Sequence, residues 1–347
     1  MTEYGVAGTR ARRPVRALVG LLLAVAIVAA PAVPGLASPA QAVTKWQSGV
    51  YTGTCDKSAL TAFGTWRHSA VERTSAYLNA QTWGQLTTLK FFGHCLTGIG
   101  VPITFSVPML PLSYKQGKAH LVTGAAGKYN KYWLAFGKTM VADGYSRATL
   151  RLGWEMNGNW YPWNAEKDPK HWVSYWRQIV KTLRKVPNQH FTFEWSPALG
   201  VNGPTHFRST KVYPGDAYVT YIGSTVYDQW WGKKSATVAQ RWAHLTNQDL
   251  GLKWLASFAK KHHKKVAVAE WGLASKASFS GHGDGDNPYF ISHFYAWMKT
   301  ANMAYDIYFN RYHSSDHNDH RMLLGTTKTN IAFLKAAKAY RKTFGGL

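Results

Sequence analysis

Eight strand-sized apolar runs recur along this chain, at 49–53, 74–79, 102–109, 148–155, 190–197, 218–227, 266–271 and 303–312. Helix-length stretches fall between them at 128–142, 169–185, 238–263 and 288–300, and a last helical pattern covers 328–344. Residues 61–71 read as a loop after the first strand. Strands alternating with helices imply parallel pairing through right-handed crossovers. Eight such units predict an α/β fold, a (β/α)8 TIM barrel in one domain over residues 43–347. The competing architecture is a doubly wound open sheet, but no glycine-rich phosphate loop follows the first run.

In a barrel the chemistry sits where strands end and loops begin. Two runs end on a carboxylate there: the fourth at Glu155 and the seventh at Glu270. Beyond residue 42 the chain has only five Glu, and a third, Glu194, also lies in an apolar run. Carboxylates in such surroundings are costly unless paired or protonated. Period-two alternation puts Arg151, Gly153 and Glu155 on one strand face and Val266, Val268 and Glu270 on another. If both faces point inward, the two acids meet across the barrel mouth. Glycoside hydrolysis needs such a pair, one acid to protonate the leaving oxygen and one carboxylate to attack or to activate water. The structural alternative is a Glu–Arg pair built on Arg151. Glu194 reads as support beside Arg151.

Residues 1–42 predict a secretory signal peptide. Arg10, Arg12, Arg13 and Arg16 precede an apolar run from Ala17 to Ala30, and Ala40-Gln41-Ala42 offers a cleavage site. That run is shorter than the ~20 residues a membrane-spanning helix needs. The expected product is a secreted, monomeric protein with no membrane attachment. In that setting the chain's two cysteines, Cys55 and Cys95, are expected to form a disulfide. The formal net charge is +24 at pH 7, from 41 Lys and Arg against 17 Asp and Glu. Such a surface attracts polyanions. For an exported protein, an anionic cell-wall polymer is the expected kind, rather than nucleic acid. The densest basic run, Lys260 to Lys265, closes a helical pattern, where cations complement the helix dipole.

The segment Glu155-Met-Asn-Gly-Asn-Trp-Tyr-Pro-Trp163, with Arg151 before it, resembles the acid/base segment of glycoside hydrolase family 26. Trp195-Ser196-Pro197, the run from Tyr213 to Tyr227, and Ala269-Glu270-Trp271-Gly272 are similar to later elements of that family, in the same order. The resemblance implies a (β/α)8 barrel and a retaining hydrolase of β-mannanase type. It implies Glu155 as acid/base, Glu270 as nucleophile, Tyr227 as the group that orients the nucleophile, and Arg151 as its cationic partner. One position departs. The family's mannanases usually have His before the acid/base Glu, and here the residue is Trp154, which has one N–H donor and a large apolar face.

Sixteen Trp are present. Aromatic faces cover the C–H faces of sugar rings well. Asn157, Trp154, Trp160, Trp163, Trp195, Trp230, Trp231, Trp271 and Tyr312, in or just past the strand ends, are the expected substrate contacts. Trp172, Trp176, Trp242 and Trp254 fall at helical spacing and read as core. The run from His313 to His320 has no standard metal-ligand spacing, and 281–287 lacks a bidentate Glu for calcium. No cofactor or metal is expected. The predicted activity is endo-cleavage of a β-linked polysaccharide by double displacement with two Glu. The alternatives are a non-catalytic carbohydrate-binding barrel and a transglycosylase using the same site.

Overall fold

The apolar runs fold into strands in the expected order. The computed structural model describes residues 46–89, 93–96, 98–201, 206–314 and 317–345, so the predicted signal peptide lies outside the described residues. The strands are β1 Gln47–Tyr51, β2 Thr74–Tyr77, β3 Ile103–Val107, β4 Thr149–Leu152, β5 Thr192–Trp195, β6 Tyr221–Asp228, β7 Lys265–Leu273 and β8 Met303–Phe309. All pair in parallel, in the order β1-β8-β7-β6-β5-β4-β3-β2. Between β1 and β2 the ring closes through individual bonds: Val50 N–H donates to the Arg73 carbonyl at 3.2 Å, and Thr74 Oγ1 donates to the Val50 carbonyl at 2.7 Å. Gly49 lies on that seam, where a Cβ would collide with the Arg73 carbonyl. The (β/α)8 expectation is met.

Turn chemistry starts the helices where the sequence signals them. Asp168 caps Pro169–Leu183 by accepting from His171 N at 3.1 Å, and Asn287 caps Pro288–Thr300 by accepting from Phe290 N at 3.1 Å. Proline at the first helical position has no N–H to leave unbonded. Trp172 and Trp176 are fully buried on the first of these helices, as expected of core.

Three local expectations are corrected. Residues 61–71 are mostly helix: Lys57–Arg67 is helical, capped by Asp56 and buried through Leu60, Phe63 and Trp66. The stretch 238–263 is two helices, Val238–Asn247 and Leu252–Lys261, because Leu250 takes a left-handed φ of 57° before Gly251. The last helix is Leu334–Phe344; Lys328–Thr329 instead pairs with Leu323–Leu324. Among the described residues, no helix is long and apolar enough to cross a membrane.

The barrel interior is polar. Arg73 lies over the Tyr305 ring at 4.2 Å and donates to Thr104 and Thr149 at 3.0 and 3.2 Å. Tyr305 donates its hydroxyl to Glu194, which lies 3.8 Å from Arg151. Buried charges therefore alternate with partners from the floor toward the mouth, as an interior of low dielectric requires. Cys55 and Cys95 form a disulfide across 40 residues.

Candidate active site

Arg151 organises the mouth of the barrel. It is fully buried on β4, opposite Glu194 on β5. Its Nη1 lies 2.8 Å from Glu270 Oε2, its Nε donates to Ser196 Oγ at 3.0 Å, and its Nη2 donates to Thr225. Tyr227 donates its hydroxyl to the other Glu270 oxygen at 2.7 Å. Glu270 is thus held from both sides in one orientation.

Neither carboxylate arrives by strand alternation. β4 ends at Leu152, and both Gly153 and Glu155 adopt left-handed φ, 55° and 53°. The chain turns there, and Glu155 N–H is tied to the Ser196 carbonyl at 2.8 Å. A non-glycine residue in that region carries strain that its surroundings must hold. On β7, Ala267 faces Gly223 but Glu270 faces Thr225, so β7 has one residue more than β6 over this interval. Against β8 the same excess appears between Val268 and Trp271. This bulge reverses the alternation. Val266 and Val268 pack in the main core, whereas Ala267 and Ala269 join Tyr305 and Ile307. The expected common face of Val266, Val268 and Glu270 is corrected accordingly.

Glu155 is partly exposed and accepts from Trp160 Nε1 at 2.8 Å. Burial of its carboxyl, with the negative charge of Glu270 next in effect, pushes its pKa up to about 7. Glu194 is fully buried and its pKa is raised by that burial. Tyr77, at the end of β2, lies near enough to Glu270 and Arg151 for both charges to act on its phenol, whose pKa burial raises well above normal. His320 is buried with its ring 4.6 Å from that of Tyr227. Its Nδ1 must donate to the Leu273 carbonyl, 2.6 Å away, and burial pushes its pKa down to about 4. A neutral imidazole therefore props the tyrosine that holds Glu270.

The expected sugar contacts divide. Trp160, Trp231 and Tyr312 are 48%, 63% and 38% exposed; His282 stacks on one face of Trp231 at 3.8 Å, and the Arg321 guanidinium lies over the Tyr312 ring at 4.9 Å. Trp230 is half-buried, its N–H spent on the Lys233 carbonyl at 2.8 Å. Trp163, Trp195 and Trp271 are fully buried and offer no face to a sugar, which corrects their expected role. Glu194 and Glu270 point inward, so the residues after them, Trp195 and Trp271, point outward. Trp195 packs on Tyr213 and Phe258, and Trp271 on Phe294 and Tyr308. Trp163 donates to the Trp154 carbonyl at 2.8 Å. Asn157 is likewise buried, and both ends of its amide bond the backbone of Ala198 at 2.9 Å, which makes it a clamp between loops. Trp154 is buried beside Glu155 and spends its N–H on the Tyr161 hydroxyl.

Tyr77, Tyr161 and His320 were not anticipated from the sequence. Tyr77 lies inside the 74–79 run and Tyr161 stands inside the motif; both signals were present. Among the described residues no group of three or more His, Cys, Asp or Glu could hold a metal ion. Ser315 and Asp316 of the His313–His320 run lie outside those residues.

Residues 148–256 match the model of glycosyl hydrolase family 26. The chain is 31% identical over 175 residues to a mannan endo-1,4-beta-mannosidase of Bifidobacterium adolescentis, a match covering 48% of this chain and 17% of that protein. The fold is similar to that of a modular endo-beta-1,4-mannanase from Cellulomonas fimi (TM-score 0.62, 15% identity, 87% of this chain and 71% of that one). It is also similar to the catalytic domain of a family 26 endo-beta-1,4-mannanase from Bacillus sp. JAMB-750 (TM-score 0.59, 14% identity, 87% and 86% covered). The family 26 match thus spans residues 148–256, with the Glu155 motif inside it, and the barrel shares its fold with these two mannanases.

Proposed function

We propose that this chain is a secreted, retaining, endo-acting glycoside hydrolase for a β-linked polysaccharide, β-mannan foremost. One observation carries the reading: two carboxyl groups at the barrel mouth are held in different settings. Glu155 has its pKa pushed up to about 7 by burial and by Glu270, while Glu270 is clamped by Arg151 and Tyr227. That contrast supports a division into acid and nucleophile. The mannanase names of the relatives support the substrate class.

The chemistry follows in two steps. Glu270 attacks the anomeric carbon as the glycosidic C–O bond breaks, and the Glu155 proton passes to the departing oxygen. Glu155, now a carboxylate, takes a proton from water, whose oxygen attacks the anomeric carbon and releases Glu270. Configuration is retained because two inversions occur. The exposed rings of Trp160, Trp231 and Tyr312 serve as platforms for neighbouring sugars. The disulfide fits an oxidising compartment. An exported form beginning at Val43 is readable by N-terminal sequencing of secreted protein.

The test is a reducing-end assay over a panel of polysaccharides with wild type, Glu155→Ala and Glu270→Ala, together with NMR of the first product anomer. The expected result is β-anomer release by wild type and near-complete loss in both variants, with folding unchanged. Polysaccharide binding without product would replace this reading with a binding module, and products elongated at high substrate would indicate transglycosylation.

A further inference from the structure

We infer that the Tyr161 hydroxyl, aimed by Trp154, is the donor that recognises a ring hydroxyl of the sugar at the point of cleavage; this assignment rests on the hydrolase reading above. Donor accounting carries it. Trp154 adjoins Glu155 in the chain, yet it is buried and has a single polar hydrogen. That hydrogen goes to Tyr161 Oη at 3.0 Å. An indole N–H can only donate, so the phenol oxygen accepts, and its own proton remains for another acceptor. No side-chain or backbone acceptor takes that proton among the described residues.

The Tyr161 ring is not free to turn away. It stacks on Trp163 at 4.5 Å with 11° between planes, meets Trp154 edge-on at 4.9 Å, and meets Trp160 edge-on at 6.4 Å. Trp160 in turn is bonded to Glu155. The hydroxyl is therefore fixed within reach of the charges of both carboxylates. After burial, Glu155 and Glu270 are the main causes that raise its pKa well above normal. Tyr161 consequently keeps its proton and stays a donor throughout the range in which Glu155 titrates. A fixed donor without an acceptor, beside an acid and a nucleophile, fits a sugar hydroxyl oxygen. Trp154 contributes no polar contact of its own and acts through Tyr161 as a positioning residue.

The experiment uses 4-nitrophenyl β-disaccharides with mannose, glucose or xylose in the ring bonded to nitrophenol. For the disaccharide that wild type cleaves, analogues deoxygenated singly in that ring are compared. Tyr161→Phe is expected to lower kcat/KM about tenfold on the parent compound, the fold-change of one neutral hydrogen bond. On one deoxy analogue, which wild type already cleaves more slowly, Tyr161→Phe should cost nothing further. Because Tyr161→Phe strands the Trp154 N–H, the paired variant Trp154→Phe with Tyr161→Phe removes both partners and should show the same loss and the same lack of additivity. Equal losses on every deoxy analogue, or an unchanged parent rate, would overturn the assignment while leaving the hydrolase intact. Wild type that cleaves no disaccharide and no polysaccharide overturns the hydrolase reading, and this assignment with it.

Discussion

Arg151 and Glu270 form a buried ion pair across the barrel, 2.8 Å between Nη1 and Oε2. Glu194 stands 3.8 Å from the same guanidinium. Replacing Arg151 by Met would leave two carboxylates facing one another in the interior with no cation between them. Breaking a buried pair from one side costs about 3–5 kcal/mol. A clear drop in melting temperature, accompanied by loss of activity, is therefore expected for Arg151→Met. Calorimetry that finds Arg151→Met as stable as wild type would contradict this account of the pair.

The Glu155 pKa of about 7 predicts the alkaline limb of the activity profile. The first step requires protonated Glu155, so kcat/KM should fall as pH rises through about 7. Trp160 donates to the charged form and so lowers this pKa. In Trp160→Phe that stabilisation is gone, the pKa rises further, and the limb moves to higher pH. Trp160 is also half exposed, as a sugar platform requires, so KM for long substrates should rise in the same variant. A pH series on a short aryl glycoside separates the two effects. A limb that stays in place in Trp160→Phe would count against Glu155 as the acid.

Tyr227→Phe removes one of the two groups that hold Glu270. Hydrogen bonds to charged groups are worth about 1.5–3 kcal/mol, or roughly 10- to 150-fold in rate if the full amount is used in the transition state. The ring packing on Phe279, Phe309 and His320 survives the substitution, so stability should hold. Activity within twofold of wild type would show that Arg151 alone suffices to orient the nucleophile.

The strands and both carboxylates were legible because each is announced locally. An apolar run of β-forming residues reads as a strand whatever surrounds it, and Glu after such a run stands out among five. The one-residue bulge on β7 had no comparable signal. Val266-Ala-Val-Ala-Glu-Trp alternates poorly, and nothing in it says that Glu270 rather than Trp271 turns inward. The same ambiguity misled the reading of Trp195 and Trp271, since a tryptophan at a strand end looks alike whether it faces the sugar or the outer helices. The break at Leu250 was hidden for a related reason: apolar spacing continues across it, and only the backbone angle marks the turn.

Asp228 closes β6 directly after Tyr227, and its carboxyl accepts from Asn287 at 3.4 Å. Its backbone carbonyl accepts from Asp284 N–H at 3.3 Å, while Arg241 pairs with the Asp284 side chain. Burial, followed by the charge of Asp284, raises the Asp228 pKa well above the ordinary value. An acid whose pKa is raised by folding stabilises the native state fully below the unfolded value of about 3.9. That contribution is lost as pH rises through the folded value. Asp228→Asn mimics the protonated acid and supplies an N–H that can reach Asp284 Oδ2, which has no hydrogen-bond partner among the described residues. The variant should match or exceed wild-type melting temperature at neutral pH. It should also lose this part of the decline in stability between acid and neutral solution. Thermal unfolding of both proteins across a pH series tests both points, and a lower melting temperature for Asp228→Asn at neutral pH would contradict a carboxyl whose charged form is disfavoured by burial and by Asp284.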